Sequence, residues 1–334
     1  MSETAPHVLI PFAAASSEDC QRQLSKLELP HLRQLLHKLT LVEADTGADD
    51  TFSPPHERAW ARTLGLTTAE SFVDGYIPWA AHAADRLGLT MDGSDSAAWG
   101  WVSLCNYFVG TGSMTLEDPA QLRITEAESR QLLKDMQPYF AEDGITLHYI
   151  NDVGPTRWLA CGEPLQSIPT ASLDRVVGRN LDAWQPEGAP AARLRRLQNE
   201  MQMLLYTHQV NELRSKAIGA ARLPLINSIW LHGTGEVTNV RPNTTSITVP
   251  RSLADAALRE DWAAWAQAWQ ALDATVCADL LRRLHAGESV TLTLCGERSS
   301  LRYELRPKSG FERLKGNLKA IFGLQPAYLL PKQL

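Results

Sequence analysis

The chain of 334 residues has no apolar run approaching the roughly 18–20 residues that cross a bilayer, so no membrane span is expected. Its first twenty residues carry no basic leader, and Pro6 and Pro11 break their apolar stretch, so no secretory signal is read there. Cysteine is sparse and scattered. Cys20, Cys105, Cys161, Cys277 and Cys295 never form a C-x-x-C pair. That argues against zinc-ribbon and thioredoxin-type sites and fits reduced thiols in a cytoplasmic protein. No H-E-x-x-H and no Asp-His dipeptide occurs, and the nine histidines are dispersed, so no metal or other cofactor is expected. No fixed-period repeat is present, which excludes a solenoid. The net charge of −6 leaves the whole protein with no attraction for nucleic acid.

What remains is an ordinary globular composition, 44% hydrophobic and 21% charged, with a length that suggests about two domains. Tryptophan is well represented, at ten residues against seven each of Phe and Tyr. Charge is uneven. Residues 298–334 hold eight Lys/Arg against two Glu, which is +6 of a total of −6 and leaves −12 for the remainder. The tail therefore reads either as a docking arm for an acidic partner or as a segment that folds onto its own acidic body. Phe311, Leu314, Leu318 and Phe322 would give it an apolar face, and 308–334 is a candidate protein-binding segment.

Along the chain, HVLIPFAAA (7–15) reads as a buried strand. A helix then follows from a Ser16 or Ser17 cap to about Val42, interrupted or restarted at Pro30. Residues 43–55 read as a loop, and 56–66 and 77–87 as helices. Residues 98–116 are rich in β-formers. A helix over 124–138 carries Thr125 and Glu128 at capping-box spacing, and strands follow at 144–150 and around TRWLACG. Helices are expected over 171–184 and 191–218, then a parallel strand over LPLINSIWLHG (223–233), whose near-continuous apolar run suits burial on both faces. A helix over about 251–285 places Trp262, Trp265 and Trp269 on a core stripe. The alternating segments 289–296 and 299–306 form a strand pair.

The most informative stretch is 199–237. Asn211 and Arg214 lie one helical turn apart and can converge on one anionic group. The expected strand then delivers His232, Gly233, Thr234 and Gly235 to its carboxyl end, where α/β sheets gather ligands and a Gly-x-Gly turn lets amides approach a phosphate. Asn227 on that strand, and Arg175 with Arg179 at i, i+4, complete the candidate anion-binding set. No residue is expected to be catalytic.

T-H-Q-V-N-x-x-R (207–214) followed by L-I-N-S-I-W-L-H-G-T-G (225–235) resembles the archaeal-type cofactor-independent phosphoglycerate mutases. LPHLRQLLHKL (29–39), SPPHERAWARTLGL (53–66) and SLCNYF (103–108) are similar to further segments of that family. SPPHERAWARTLGL, DGYIPWAA, ASLDRVVGR and NEMQMLLYTH also resemble a bacterial family described as phosphoglycerate mutase-like or as regulatory proteins of the RpfE type. The resemblance covers roughly residues 7–237. It implies an α/β fold with an alkaline phosphatase-like three-layer core, here truncated, over 1–95 and 186–334. A smaller α+β insertion domain, like the mutases' substrate cover, would span 96–185.

The resemblance also implies what is missing. The family's first strand ends in Asp-Gly and supplies a metal ligand. Here it ends Ile10-Pro11-Phe12-Ala13. The family's later D-x-x-x-H and Asp-His ligands fall where this chain has a single histidine, His285. Two-metal phosphoryl transfer needs those charges. The expectation is a pseudoenzyme or regulatory protein that binds a small phosphorylated or carboxylated molecule. The alternatives are an active metal-dependent phosphomutase or phosphatase with relocated ligands, and an interaction module acting through the basic tail.

Overall fold

The computed structural model describes residues 5–89, 98–166, 168–216, 223–235 and 246–305. It is a mixed α/β protein of two compact units. One draws on residues 1–49, 55–60 and 244–334, the other on 50–54 and 61–243. The units thus divide at 49/50 and 243/244, with a short exchange between 50 and 60, whereas the sequence placed the boundaries at 95/96 and 185/186.

The first unit is built on a five-stranded mixed sheet. Its strands are β1 (His7–Ile10), β2 (Thr40–Thr46), β9 (Ile247–Thr248), β10 (Thr291–Cys295) and β11 (Ser299–Glu304), in the order β2-β11-β10-β1-β9. β1 runs parallel to β9 and β10, while β11 runs antiparallel to β10 and β2. The segment 40–46 is therefore a strand, not the end of a helix and a loop. Paired with β11 over its length, it stays half-exposed and polar because it forms the sheet edge.

Alternation along β1 sorts its side chains to opposite faces. Val8 and Ile10 join a core with helices Glu18–Leu24, Pro30–Lys38 and Trp262–Leu272. Leu9 faces the other way, onto Ala59 of helix Pro55–Leu64. The expected Trp stripe is core: Trp265 and Trp269 are fully buried, edge to face at 6.3 Å. Their indole N–H groups donate to the carbonyls of Phe12 (2.9 Å) and Ala13 (3.1 Å). Those bonds brace a strained turn, because Phe12 sits at φ +52°, a conformation that costs a non-glycine residue about 1 kcal/mol. Pro11 ends β1 earlier than the apolar run suggested, since it offers no N–H to the ladder.

The second unit holds a four-stranded sheet of β3 (Trp99–Cys105), β6 (Thr146–His148), β7 (Arg157–Cys161) and β8 (Ser228–Gly235), in the order β6-β7-β3-β8. A hairpin of β4 (Tyr107–Val109) and β5 (Met114–Leu116) stands apart from it. Every pairing in the sheet is antiparallel. The expected parallel strand over 223–233 is thus the antiparallel edge strand β8. Its apolar run reflects cover on both faces. Helices Glu126–Glu142 and Ala189–Tyr206 bury Ile229 and Leu231 on one side, and helix Trp79–Arg86 packs against the other.

Three expected helices are broken. The one over 251–285 is interrupted after Ser252–Ala257, where Glu260 takes φ +54°, and starts again at Trp262 with Asp261 as its cap. Over 171–184 the chain forms helix Leu173–Val176, then Gly178 at φ +73° and single-residue bridges to β5, then a 3-10 turn at Leu181–Trp184. The 191–218 helix stops at Tyr206 and restarts at Gln209, where the His208 ring nitrogen Nδ1 accepts the Val210 N–H. The capping box at Thr125 and Glu128 forms as expected. The basic segment 308–334 lies outside the described residues. Among the described residues, no helix is long and apolar enough to cross a membrane.

Candidate functional site

Asn211, Arg214 and Asn227 spend their polar atoms on the chain itself. The Asn211 side-chain amide donates to the carbonyls of Leu205 (2.8 Å) and Ile226 (2.6 Å), and its oxygen accepts the Ile226 N–H at 2.9 Å. Asn227 bonds both backbone groups of Tyr107, at 2.6 and 2.9 Å. The Arg214 side chain, 1% exposed, donates to both carboxylate oxygens of Glu128 and to the carbonyls of Leu122 and Pro224. Helical spacing correctly places Asn211 and Arg214 on one face. Their partners are backbone carbonyls and a carboxylate, so this cluster clamps residues 224–227 in place.

Gly233, Thr234 and Gly235 do not form a turn beyond the strand. They belong to β8, where Gly233 and Thr234 together oppose the single residue Gly100 of β3 as a bulge in β8. Gly233 has φ +62°, and a Cβ there would lie 3.1 Å from the Trp79 Cβ, so the glycine permits close packing of helix Trp79–Arg86. The Thr234 amide donates to Thr170 Oγ1 at 3.4 Å, and its hydroxyl donates to the Ile168 carbonyl at 2.6 Å. A phosphate cradle is not assembled at this point.

His232 is differently placed. Ser103 lies directly across from Arg157 of β7 on one side and from Trp230 of β8 on the other. His232, two residues beyond Trp230, has its Nε2 2.9 Å from Ser103 Oγ, with both residues buried. Burial lowers the His232 pKa to about 3, helped by the Arg157 charge and opposed by Asp174. The ring is therefore neutral at pH 7 and shares a hydrogen bond between Nε2 and Ser103 Oγ. A base held so weak does not activate a serine. The pair instead forms a fixed, buried polar contact.

A cationic group borders that pair. The Arg157 guanidinium stacks over the Trp101 ring at 4.5 Å. The Trp230 indole donates to the Ala171 carbonyl at 2.9 Å, and the charge of Asp174, three residues further on, acts on the His232 ring. Arg175 is buried, donates to Thr51 Oγ1 at 3.2 Å and lies 5.7 Å from the Trp184 ring. Arg179 is half-buried beyond it, after the helix has ended at Val176, so the expected i, i+4 pairing on one helix is absent. Ser103, Arg157 and Asp174 escaped the sequence reading. Alternation does place Trp99, Trp101 and Ser103 on one face, but only the strand register shows what lies across from them.

No family model matches the chain, and no curated protein matches it. Among solved structures, a cofactor-independent phosphoglycerate mutase from Thermoplasma acidophilum is similar at 13% sequence identity. The match covers 90% of this chain and 89% of that chain, with a TM-score of 0.34.

Proposed function

We propose that this protein is a non-catalytic, regulatory binder of a small phosphorylated or carboxylated molecule, taken up by the second unit at Arg157. The observation that carries the reading is the row Arg157–Ser103–Trp230 across three strands, with His232 beside it. Arginine held on an indole keeps its charge and a fixed plane, the geometry that suits carboxylate and phosphate recognition. The non-catalytic half draws support from the turn after β1. Its side chains are Pro11, Phe12, Ala13, Ala14 and Ala15, and two of its carbonyls are committed to Trp265 and Trp269.

The test is a thermal-shift panel of 2- and 3-phosphoglycerate, inorganic phosphate and citrate on the full chain. A binder at 100 times its Kd adds about 2.7 kcal/mol of stability. A shift is expected with at least one anion, and it should be lost in Arg157→Gln. No shift with any anion, or an equal shift in the variant, overturns the binding site. Turnover of a phosphoglycerate after loading with Mn²⁺ or Zn²⁺ overturns the non-catalytic reading.

A further inference from the structure

Helix Pro30–Lys38 starts without a cap of its own, because Leu29 at its N-cap position offers no side-chain acceptor. The cap comes from Asp273, some 240 residues away at the first position of a π-helical turn, Asp273–Cys277. Asp273 Oδ1 accepts the Leu32 N–H at 2.7 Å. Its Oδ2 accepts the His31 N–H at 3.3 Å and contacts His31 Nδ1 at 2.9 Å.

A carboxylate only accepts, so His31 donates through Nδ1–H, and in the neutral ring Nε2 carries the free lone pair. The Asp273 side chain is 5% exposed, whereas that of His31 is 37% exposed. A buried acceptor thus fixes the tautomer and orientation of a partly exposed imidazole. The same carboxylate favours the cationic ring that forms when Nε2 attacks an electrophile.

We propose that His31 is a phosphoryl-acceptor site, modified at Nε2 by an acyl phosphate. The Nε2–P bond forms as the P–O bond to the acyl group breaks, and the carboxylate leaves with that electron pair. The Nδ1 proton stays on the ring, shared with Asp273, so the product is a phosphoimidazolium balanced by the buried carboxylate. This site lies wholly in the first unit and does not depend on the anion site of the second.

Acetyl phosphate on the full-length protein tests it, with phosphorylated peptides mapped at neutral pH to keep the acid-labile bond. His37 and His285 are exposed histidines in the same unit and serve as internal references. His31 is expected to label severalfold faster than either, and His31→Gln should lose that label. In Asp273→Asn the side-chain oxygen still caps Leu32, but the amide nitrogen donates to Nδ1. The tautomer reverses, Nε2 holds a hydrogen, and labelling should fall to the reference rate. Labelling of His31 no faster than His37 and His285 overturns the proposal, as does an Asp273→Asn variant that labels like the parent. Nitrogen NMR of the parent provides a check that needs no variant, because a His31 ring proton found on Nε2 also overturns it.

Discussion

Arg214 and Glu128 form a two-pronged ion pair, Nε to Oε1 at 2.8 Å and Nη2 to Oε2 at 2.9 Å. Glu128 at the same time accepts the backbone N–H of Thr125 at 2.8 Å and so completes the capping box of helix Glu126–Glu142. One carboxylate thereby ties the start of that helix to the helix Gln209–Lys216.

Arg214→Met is therefore expected to cost about 3–5 kcal/mol in urea unfolding, because it strands a partly buried carboxylate and two carbonyls. Arg214→Met with Glu128→Gln should recover part of the loss. Burial raises the Glu128 pKa, but bonds from Arg214 and Thr125 outweigh it and leave the group below its usual range. Its stabilising contribution is present above the unfolded pKa of about 4.3 and is lost as pH falls through the lower folded value. The single variant should show a shallower acid loss than the parent. Anion-induced thermal shifts should survive it, since the guanidinium is already committed to the fold.

Two buried histidines set a second pH dependence, one in each unit. His7, with Nε2 2.9 Å from Thr293 Oγ1, is lowered to about 4 by burial and then by the Arg302 charge. His232 is lowered to about 3, chiefly by burial. The unfolded chain binds a proton at each near pH 6.5, before the folded chain does. Stability should therefore be complete above pH 6.5 and fall as pH drops towards 4, by on the order of 2 kcal/mol per histidine. His7→Asn and His232→Asn should each flatten their own part of that slope in pH-resolved chemical denaturation. An unchanged slope in both variants would contradict the neutral buried rings.

Gly162 tests backbone packing. A Cβ there would lie 2.4 Å from the Gly144 carbonyl oxygen and 3.1 Å from the Ile145 Cα, both backbone atoms that cannot rotate away. Gly162→Ala is expected to destabilise by about 1–3 kcal/mol or more, read as a lower Tm. Gly110→Ala, whose nearest neighbour would be 3.5 Å away, serves as the control and should stay within about 0.5 kcal/mol.

Local signals carried much of the helix and strand inventory. The Thr125–Glu128 box, the Trp265–Trp269 stripe and the alternation in 291–295 and 299–304 need only short-range patterns, and all three form, although the helix carrying the stripe starts at Trp262 rather than near 251. The errors arise where a residue's role depends on a distant partner. The segment 40–46 is a strand only because β11 lies beside it. Residues 223–233 look like a parallel strand because burial on two faces produces the same apolar run in either sheet type.

Sequence by itself determined that this is a mixed α/β chain, that Asn211 and Arg214 share a helix face, and that the turn after the first strand carries no carboxylate. Tertiary structure decided what those residues do. Spacing along a helix shows which side chains point together, but only the packed chain shows whether a carboxylate, a carbonyl or open space meets them. Glu128, 86 residues away from Arg214, turns an apparent anion-binding arginine into a structural clamp. Strand register, which no local pattern encodes, sets Ser103 between Arg157 and Trp230 and brings His232 to its side.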